Sequence, residues 1–313
     1  MNRTAHVAAS AVGLIGQTPV VQLSRVWSEP GRILAKAEFM QPGGSVKDRA
    51  ARAIVEAARS DGRLKPGAPV VEMTSGNMGA GLAVVCAVLS HPLVVTLSAG
   101  NSAQRVRMLE ALGAEVILVP QVTGEPGQVT GPDIAAAARI AEQVATERGG
   151  FYVNQFHAAE GKLAHEAGTA RELLDAAGGR IDGWTACVGS GCTFMGVARA
   201  LRAINPSVVC GAVEPAGCQV LDGQPVTKVK HLLQGADYGG IPPMWEPELM
   251  SRSIAVSDEE ATKWKQRLAI EEGLHVGFTA AANVCAATKM LSSGVLSPSA
   301  TVVTVLCDTG LKY

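Results

Sequence analysis

Residues 69–98 read PVVEMTSGNMGAGLAVVCAVLSHPLVVTLS. Pro69 to Glu72 and Leu93 to Leu97 are short, aliphatic runs of strand length, and Asn77 to Ser90 between them has the length of a helix. Two strands joined through a helix run parallel, because a parallel pair needs a long crossover. The same alternation extends outward. Ile33 to Phe39 (strand) and Ser45 to Ser60 (helix) precede the stretch, and Ser102 to Leu112 (helix) and Glu115 to Val119 (strand) follow it. After a loop, Pro120 to Pro132, and a helix to about Arg148, the rhythm resumes with Trp184 to Val188, a helix from about Thr193 to Ile204, and Val208 to Val213. Pro215 to Pro247, rich in glycine and proline, reads as a loop over a site. Helices over about Asp258 to Glu272 and Thr279 to Ser293, with a strand from Thr301 to Leu306, complete an α/β chain of mostly parallel sheets.

At roughly 150 residues per domain, 313 residues suggest two domains. With 47% apolar and 18% charged residues the chain can bury sizeable cores, which excludes a disordered chain. The 27 basic and 28 acidic residues nearly cancel and are spread along the chain, so no footprint for nucleic acid or an anionic membrane is present. Small-molecule chemistry becomes the expectation. No apolar run reaches the roughly 18 to 20 residues of a membrane span, and Met1 to Ser10 lacks the apolar core of a secretory signal. Seven cysteines without a CxxC pair suggest a reduced, cytoplasmic protein with buried thiols. The six histidines show no zinc-like spacing, so no metal is expected.

Four loops carry chemistry. In Gly43-Gly44-Ser45-Val46-Lys47-Asp48-Arg49 a lysine falls in the first turn of a helix that Ser45 is placed to cap. The positive helix end disfavours an ammonium there, which makes the amine available to a carbonyl; a solvated surface lysine is the plain alternative. Glu72-Met73-Thr74-Ser75-Gly76-Asn77-Met78-Gly79 brings hydroxyls, an amide and free N–H groups to a strand–helix junction, suited to a carboxylate or to an ordinary cap. Gly189-Ser190-Gly191-Cys192-Thr193 suits a phosphate at a second such junction. A dinucleotide site is its rival, with Glu214 as the ribose acid, but the next glycine after Gly191 is Gly196 and G-x-G-x-x-G is not met. Cys307-Asp308-Thr309-Gly310 sets a hydroxyl at the carboxyl end of the last strand, or simply closes the chain with a turn.

In this order the segments resemble the cysteine synthase and cystathionine β-synthase family, fold type II enzymes that use pyridoxal phosphate for β-replacement. The likeness begins at Ile15-Gly16-Gln17-Thr18-Pro19 and takes in the lysine and asparagine loops, Arg105 to Pro120, and Tyr152-Val153-Asn154-Gln155-Phe156. It ends with the glycine loop, Val213-Glu214-Pro215 and Asp308-Thr309-Gly310, so it covers nearly the whole chain. The resemblance implies that Lys47 attaches the cofactor covalently and that Asn77 bonds its ring hydroxyl oxygen. It implies too that Gly189, Ser190, Gly191, Cys192 and Thr193 hold the phosphate and that Thr309 faces the pyridine nitrogen. Thr74, Ser75, Gly76 and Gln155 would hold the substrate's α-carboxylate. A hydroxyl cannot keep the pyridine protonated as an aspartate would, which favours loss of a β-leaving group over transamination or decarboxylation. The implied reaction starts from an activated serine, O-acetyl or O-phospho, and passes through an aminoacrylate to which a nucleophile adds.

Departures from the family pattern bear on the substrate. Met78 stands where cysteine synthases usually have a threonine, His157-Ala158-Ala159-Glu160 follows Phe156, and Thr279 to Ala282 replaces a Ser-Ser-Gly turn. The loop Gln234 to Pro242 includes Gly235, Asp237 and Tyr238, adding a carboxylate and a phenol and suggesting a second substrate larger or more polar than sulfide. Lys228, Lys230 and His231 would suit a phosphorylated donor or form a solvated basic patch. The resemblance places a smaller domain at 41–153, with Lys47 and the asparagine loop. A larger domain of 1–40 plus 154–313 carries the phosphate loop and Thr309, and the protein is expected to be a homodimer. The alternatives are β-elimination or dehydration of serine or threonine, a nucleotide-binding oxidoreductase, and an inactive binding homologue.

Overall fold

A computed structural model describes residues 7–123, 129–236 and 240–312. The chain opens with β1 (Val20–Gln22) and β2 (Arg32–Lys36), which pair antiparallel. Next come α1 (Lys47–Ser60), β3 (Val70–Met73), α2 (Asn77–Leu89), β4 (Leu93–Ser98), α3 (Ala103–Ala111), β5 (Glu115–Val119), α4 (Gly131–Glu147) and β6 (Phe151–Tyr152). A helical run follows: α5 (Ala159–Ala164), one π-helical turn (His165–Thr169) and α6 (Ala170–Ala177). The chain continues through β7 (Gly183–Cys187), α7 (Cys192–Ile204), β8 (Val209–Pro215), β9 (Arg252–Val256), α8 (Asp258–Glu271), α9 (Phe278–Ser292) and β10 (Thr301–Val305).

The described residues fall into two compact units. The first holds those of the segment ending at Gln17, with Gln41–Gly43 and Lys47–Asn154; the second holds Thr18–Met40, Gly44–Val46 and those from Gln155 onward. The sequence reading groups residues 1–40 together, whereas the described residues up to Gln17 cluster with Lys47–Asn154. Local bonds explain why: Arg52 on α1 donates to Val12 O at 3.3 Å, and Gly16 N–H donates to Gln41 Oε1 at 2.9 Å.

In the first unit a parallel sheet runs in the order β5-β4-β3-β6. The inner strands β3 and β4 are buried on both faces except at Met73, as their continuous apolar runs require. The amphipathic α1 buries Ile54, Val55 and Ala58. It meets α2 closely because Gly81 has no side chain; a Cβ there would stand 3.1 Å from Asp48 Cα. A capping box of Thr130 and Asp133 starts α4. Asp133 also accepts N–H bonds from Val122 (2.7 Å) and Thr123 (3.2 Å).

The second unit is built on a six-stranded sheet ordered β1-β2-β10-β7-β8-β9, parallel except for β1. The alanine-rich α9, buried along most of its length, packs on β7 and β10, where small side chains allow close approach. Trp184, Phe194 and Trp245 stack beside α7, with ring centroids 6.4 and 5.6 Å apart.

The strand expected from Ile33 to Phe39 ends at Lys36, and Glu38–Met40 forms a 3₁₀ turn. Ser45 does not stand next to the helix it was expected to cap. It pairs with Asp308 in an isolated bridge, and α1 starts two residues later at Lys47.

Candidate active site

Open α/β sheets bind ligands outside the carboxyl ends of their strands, where the strand order reverses. In the first unit that point is β3, since β4 and β5 lie to one side of it and β6 to the other. Thr74, Ser75 and Gly76 leave the carboxyl end of β3, and Asn77 and Met78 open α2. No side-chain cap bond closes this helix start. Arg105 on α3 donates to Ser75 O at 3.1 Å and to Ser75 Oγ at 2.8 Å. Ser75 thus accepts from a guanidinium and keeps its own proton for an acceptor. Gly76 N–H donates to Thr74 Oγ1 at 3.4 Å. Met78 is buried, and Gly79 lets α2 lie against α3, because a Cβ would stand 2.5 Å from Leu109 Cδ2. Half-buried Lys47 opens α1, and the buried Asp48 beside it accepts from Gly43 N–H at 2.5 Å. A carboxylate in this first turn offsets the positive helix end.

In the second unit the order reverses between β7 and β10. The loop after β7 is Gly189-Ser190-Gly191 and leads into α7, whose start has no side-chain cap. Gly191 has φ +89°, a conformation that suits glycine alone. Ser190 is 6% exposed. The first amides of α7, at Cys192, Thr193 and Phe194, precede the helix's own bonding pattern, so the loop offers several donors at a positive helix end. Cys192 Sγ lies 3.9 Å from Gln155 O, and Gln155 is itself buried. Thr193 Oγ1 stands 3.3 Å from His165 Nε2.

After β10 the chain turns through Asp308 and Thr309. Thr309 bridges to Val276, and its hydroxyl accepts from Leu311 N–H at 3.2 Å. Gly44 to Val46, the three residues before Lys47, run along this turn. Val46 N–H donates to Cys307 O at 2.8 Å, and a Cβ on Gly44 would stand 3.7 Å from Thr309 Cγ2. Asn283 of α9 ties the two strand ends together. Its Oδ1 accepts from Cys187 N–H at 2.7 Å while its Nδ2 donates to Val305 O at 2.9 Å. Burial, with Cys307 and Glu214 nearby, pushes the Cys187 thiol well above its ordinary range. Glu214, the acid a dinucleotide site would use, is buried and accepts from Ser253 Oγ at 2.5 Å and Leu221 N–H at 2.8 Å. Both its oxygens serve the fold.

The structure therefore groups Lys47, Thr74, Ser75, Gly76, Asn77 and Met78 in the first unit. It groups Gln155, Gly189, Ser190, Gly191, Cys192, Thr193 and Thr309 in the second. Gly235 is exposed at φ +82°, and Asp237 and Tyr238 lie outside the described residues. Arg105, His165 and Asn283 join the loops without having stood out in the sequence. Each is a single polar residue inside a helical run, and only the fold shows what it faces.

In the first unit a lysine and an asparagine at helix starts, and in the second a glycine loop with free amides at a helix start, each suit a part of pyridoxal phosphate. Comparison with known proteins agrees. Residues 12–308 match the family profile described as pyridoxal-phosphate dependent enzyme. A cysteine synthase of Staphylococcus aureus (strain Mu50) is 37% identical over 302 residues, 96% of this chain and 93% of the relative. The crystal structure of an O-acetylserine dependent cystathionine β-synthase from Helicobacter pylori superposes with a TM-score of 0.88 at 28% identity, over 99% of this chain and 98% of that one. An O-ureido-L-serine synthase structure also gives 0.88, at 32% identity, over 98% and 94% of the two chains. Matched along nearly its whole length by the profile and by these relatives, the chain belongs to the pyridoxal-phosphate dependent enzyme family.

Proposed function

We propose that the protein catalyses β-replacement on an activated L-serine of the O-acetyl or O-phospho type, as cysteine synthases do. The end-to-end likeness to a cysteine synthase and to an O-acetylserine dependent enzyme carries this reading. In balance, O-acetyl-L-serine and a nucleophile H–Nu give a β-substituted alanine and acetic acid. Pyridoxal phosphate, when bound, supplies a conjugated electron sink that eases removal of the α-proton.

The chain's own residues supply the rest. Lys47 would hold the cofactor and, through Nζ, move the α-proton. Asn77 would bond the ring hydroxyl oxygen, Gly189 to Thr193 would hold the phosphate, and Thr309 would face the pyridine nitrogen with a hydroxyl. The Ser75 proton freed by Arg105 supports a role for Thr74, Ser75 and Gly76 in binding the α-carboxylate, with Gln155. Lys228 is paired with Asp258 at 2.7 Å, which favours an acetylated over a phosphorylated donor.

The acceptor extends beyond sulfide in this proposal, since the similar structures include synthases named for cystathionine and O-ureido-L-serine. We further propose a homodimer, checked by light scattering, and a cytoplasmic location. The seven free cysteines support the latter. No helix among the described residues is long and apolar enough to cross a membrane.

A mass-spectrometric screen crossing acetyl-, phospho- and unmodified serine with sulfide, homocysteine and amines tests the reaction. Substituted alanines are expected; pyruvate formed without regard to nucleophile identifies β-elimination instead. Borohydride reduction and peptide mapping should place the pyridoxyl group on Lys47, and label at another lysine removes Lys47 from its role.

A further inference from the structure

His165 begins the π-helical turn and is 1% exposed. Its two ring nitrogens face two hydroxyls: Nδ1 lies 2.9 Å from Thr169 Oγ1, and Nε2 lies 3.3 Å from Thr193 Oγ1. His165 and Thr169 are four residues apart, a spacing that sets two side chains on one face of a helical run. Gly196 supplies the other half. Without a Cβ it lets α7 approach until its backbone nearly touches the run, a Cβ there falling 2.9 Å from His165 Cβ. Thr193, one turn before Gly196, is thereby brought to the imidazole.

We propose that His165 is a positioning residue that orients the Thr193 hydroxyl toward an anionic phosphate at the start of α7. This rests on the reading of Gly189 to Thr193 as the phosphate loop. A hydroxyl has one proton, and its direction decides whether it serves an anion. In this arrangement the Thr169 hydroxyl is the donor to His165 Nδ1, and the ring proton lies on Nε2. Nε2–H then donates to Thr193 Oγ1, whose own proton is left for the phosphate. With the opposite tautomer Thr193 would donate to His165 and present only lone pairs to the anion. Thr193 touches the phosphate; His165 does not.

Two conservative substitutions separate this role from general support of the core. His165→Gln carries an amide nitrogen near the position of Nε2 and keeps a donor for Thr193. His165→Asn reaches only the position of Nδ1, keeping Thr169 and losing Thr193. Dissociation constants of pyridoxal phosphate and of pyridoxal, which lacks the phosphate, are measured on the full chain after cofactor removal, with Thr193→Val alongside. His165→Asn should weaken pyridoxal phosphate about 10- to 150-fold and leave pyridoxal within about twofold, the loss expected for one hydrogen bond to an anion. His165→Gln should restore most of the difference, and Asn at 165 should add little once Thr193 is valine. Equal weakening of both ligands overturns the proposal, because it marks a purely structural residue. If Thr193→Val is selective for the phosphate and His165→Asn is not, the inference falls while the loop reading stands. If Thr193→Val and a Gly191→Ala control leave the preference for pyridoxal phosphate unchanged, the loop reading itself fails.

Discussion

Gly196→Ala adds one methyl group where α7 crosses the run of α5 and the π turn. That carbon would stand 2.4 Å from Lys162 O and 2.9 Å from both Glu166 N and His165 Cβ. Two of the three atoms are helical backbone and cannot rotate aside, so α7 must retreat by about 1 Å to reach normal van der Waals separation. Overpacking of this kind costs about 1–3 kcal/mol, and the backbone contacts place it toward the upper end. Alanine returns up to about 1 kcal/mol through helix propensity, leaving a net loss of about 2 kcal/mol. At about 2–4 °C per kcal/mol for a unit of this size, the unfolding temperature should fall by about 4–8 °C. The same retreat carries Thr193 Oγ1, now 3.3 Å from His165 Nε2, out of hydrogen-bond range. Differential scanning calorimetry and titration with pyridoxal phosphate and pyridoxal follow the two effects. A variant as stable as the parent, with an unchanged preference for the phosphate, would refute the close approach on which both depend.

Gly191→Ala places a side chain at φ +89° and should cost about 1–2 kcal/mol, with weaker phosphate-dependent binding; retained stability and affinity would mean that the loop tolerates another backbone path. Asn283→Ala leaves Cys187 N–H and Val305 C=O without their bridging amide, and a loss of about 2–4 kcal/mol is expected by calorimetry. A shift under about 0.5 kcal/mol would show that the two strand ends find other bonds. The Thr130 N–H, working against burial and aided by Val122 N–H, holds the Asp133 carboxyl well below the usual range. A folded value below the unfolded one near 3.9 means stabilisation present above about pH 4 and lost as the pH falls toward the folded value. Asp133→Asn should thus lower the unfolding temperature at pH 7 by an amount that shrinks below about pH 4, and a gap independent of pH would clear the charge of any part in the cap.

The strands with continuous apolar runs could be read directly, because a strand buried on both faces has no use for polar residues. β3 and β4 began within a residue of expectation, and β4 ended one residue beyond it. Elements whose stability comes from neighbours gave little signal. β1 and β6 have three and two residues, too few for any period, and exist because a longer strand lies alongside. α5 begins after Ala158 with no side-chain cap, and the π turn that continues it interrupts the 3.6-residue pattern. The loops proposed to carry the chemistry could be singled out because glycine, serine, threonine and asparagine cluster at strand–helix junctions. Their supports could not. Arg105 looks like any charged residue on a surface helix until its guanidinium is seen at Ser75, and His165 is a lone histidine until Gly196 brings α7 to it.

The position of β10 has a consequence for how the protein is made. It lies between β2 and β7 in the larger sheet, so strands from opposite ends of the sequence meet only across it. Lys47–Asn154, by contrast, contains every strand of the smaller sheet. During synthesis the smaller sheet can assemble as soon as β6 has left the ribosome. The larger one must wait, its β1–β2 hairpin and its β7-β8-β9 strands each presenting an unpaired edge at the future seat of β10. That interval exposes edges able to pair with another nascent chain. A slow translation step shortly before Thr301 would lengthen it without altering the finished molecule.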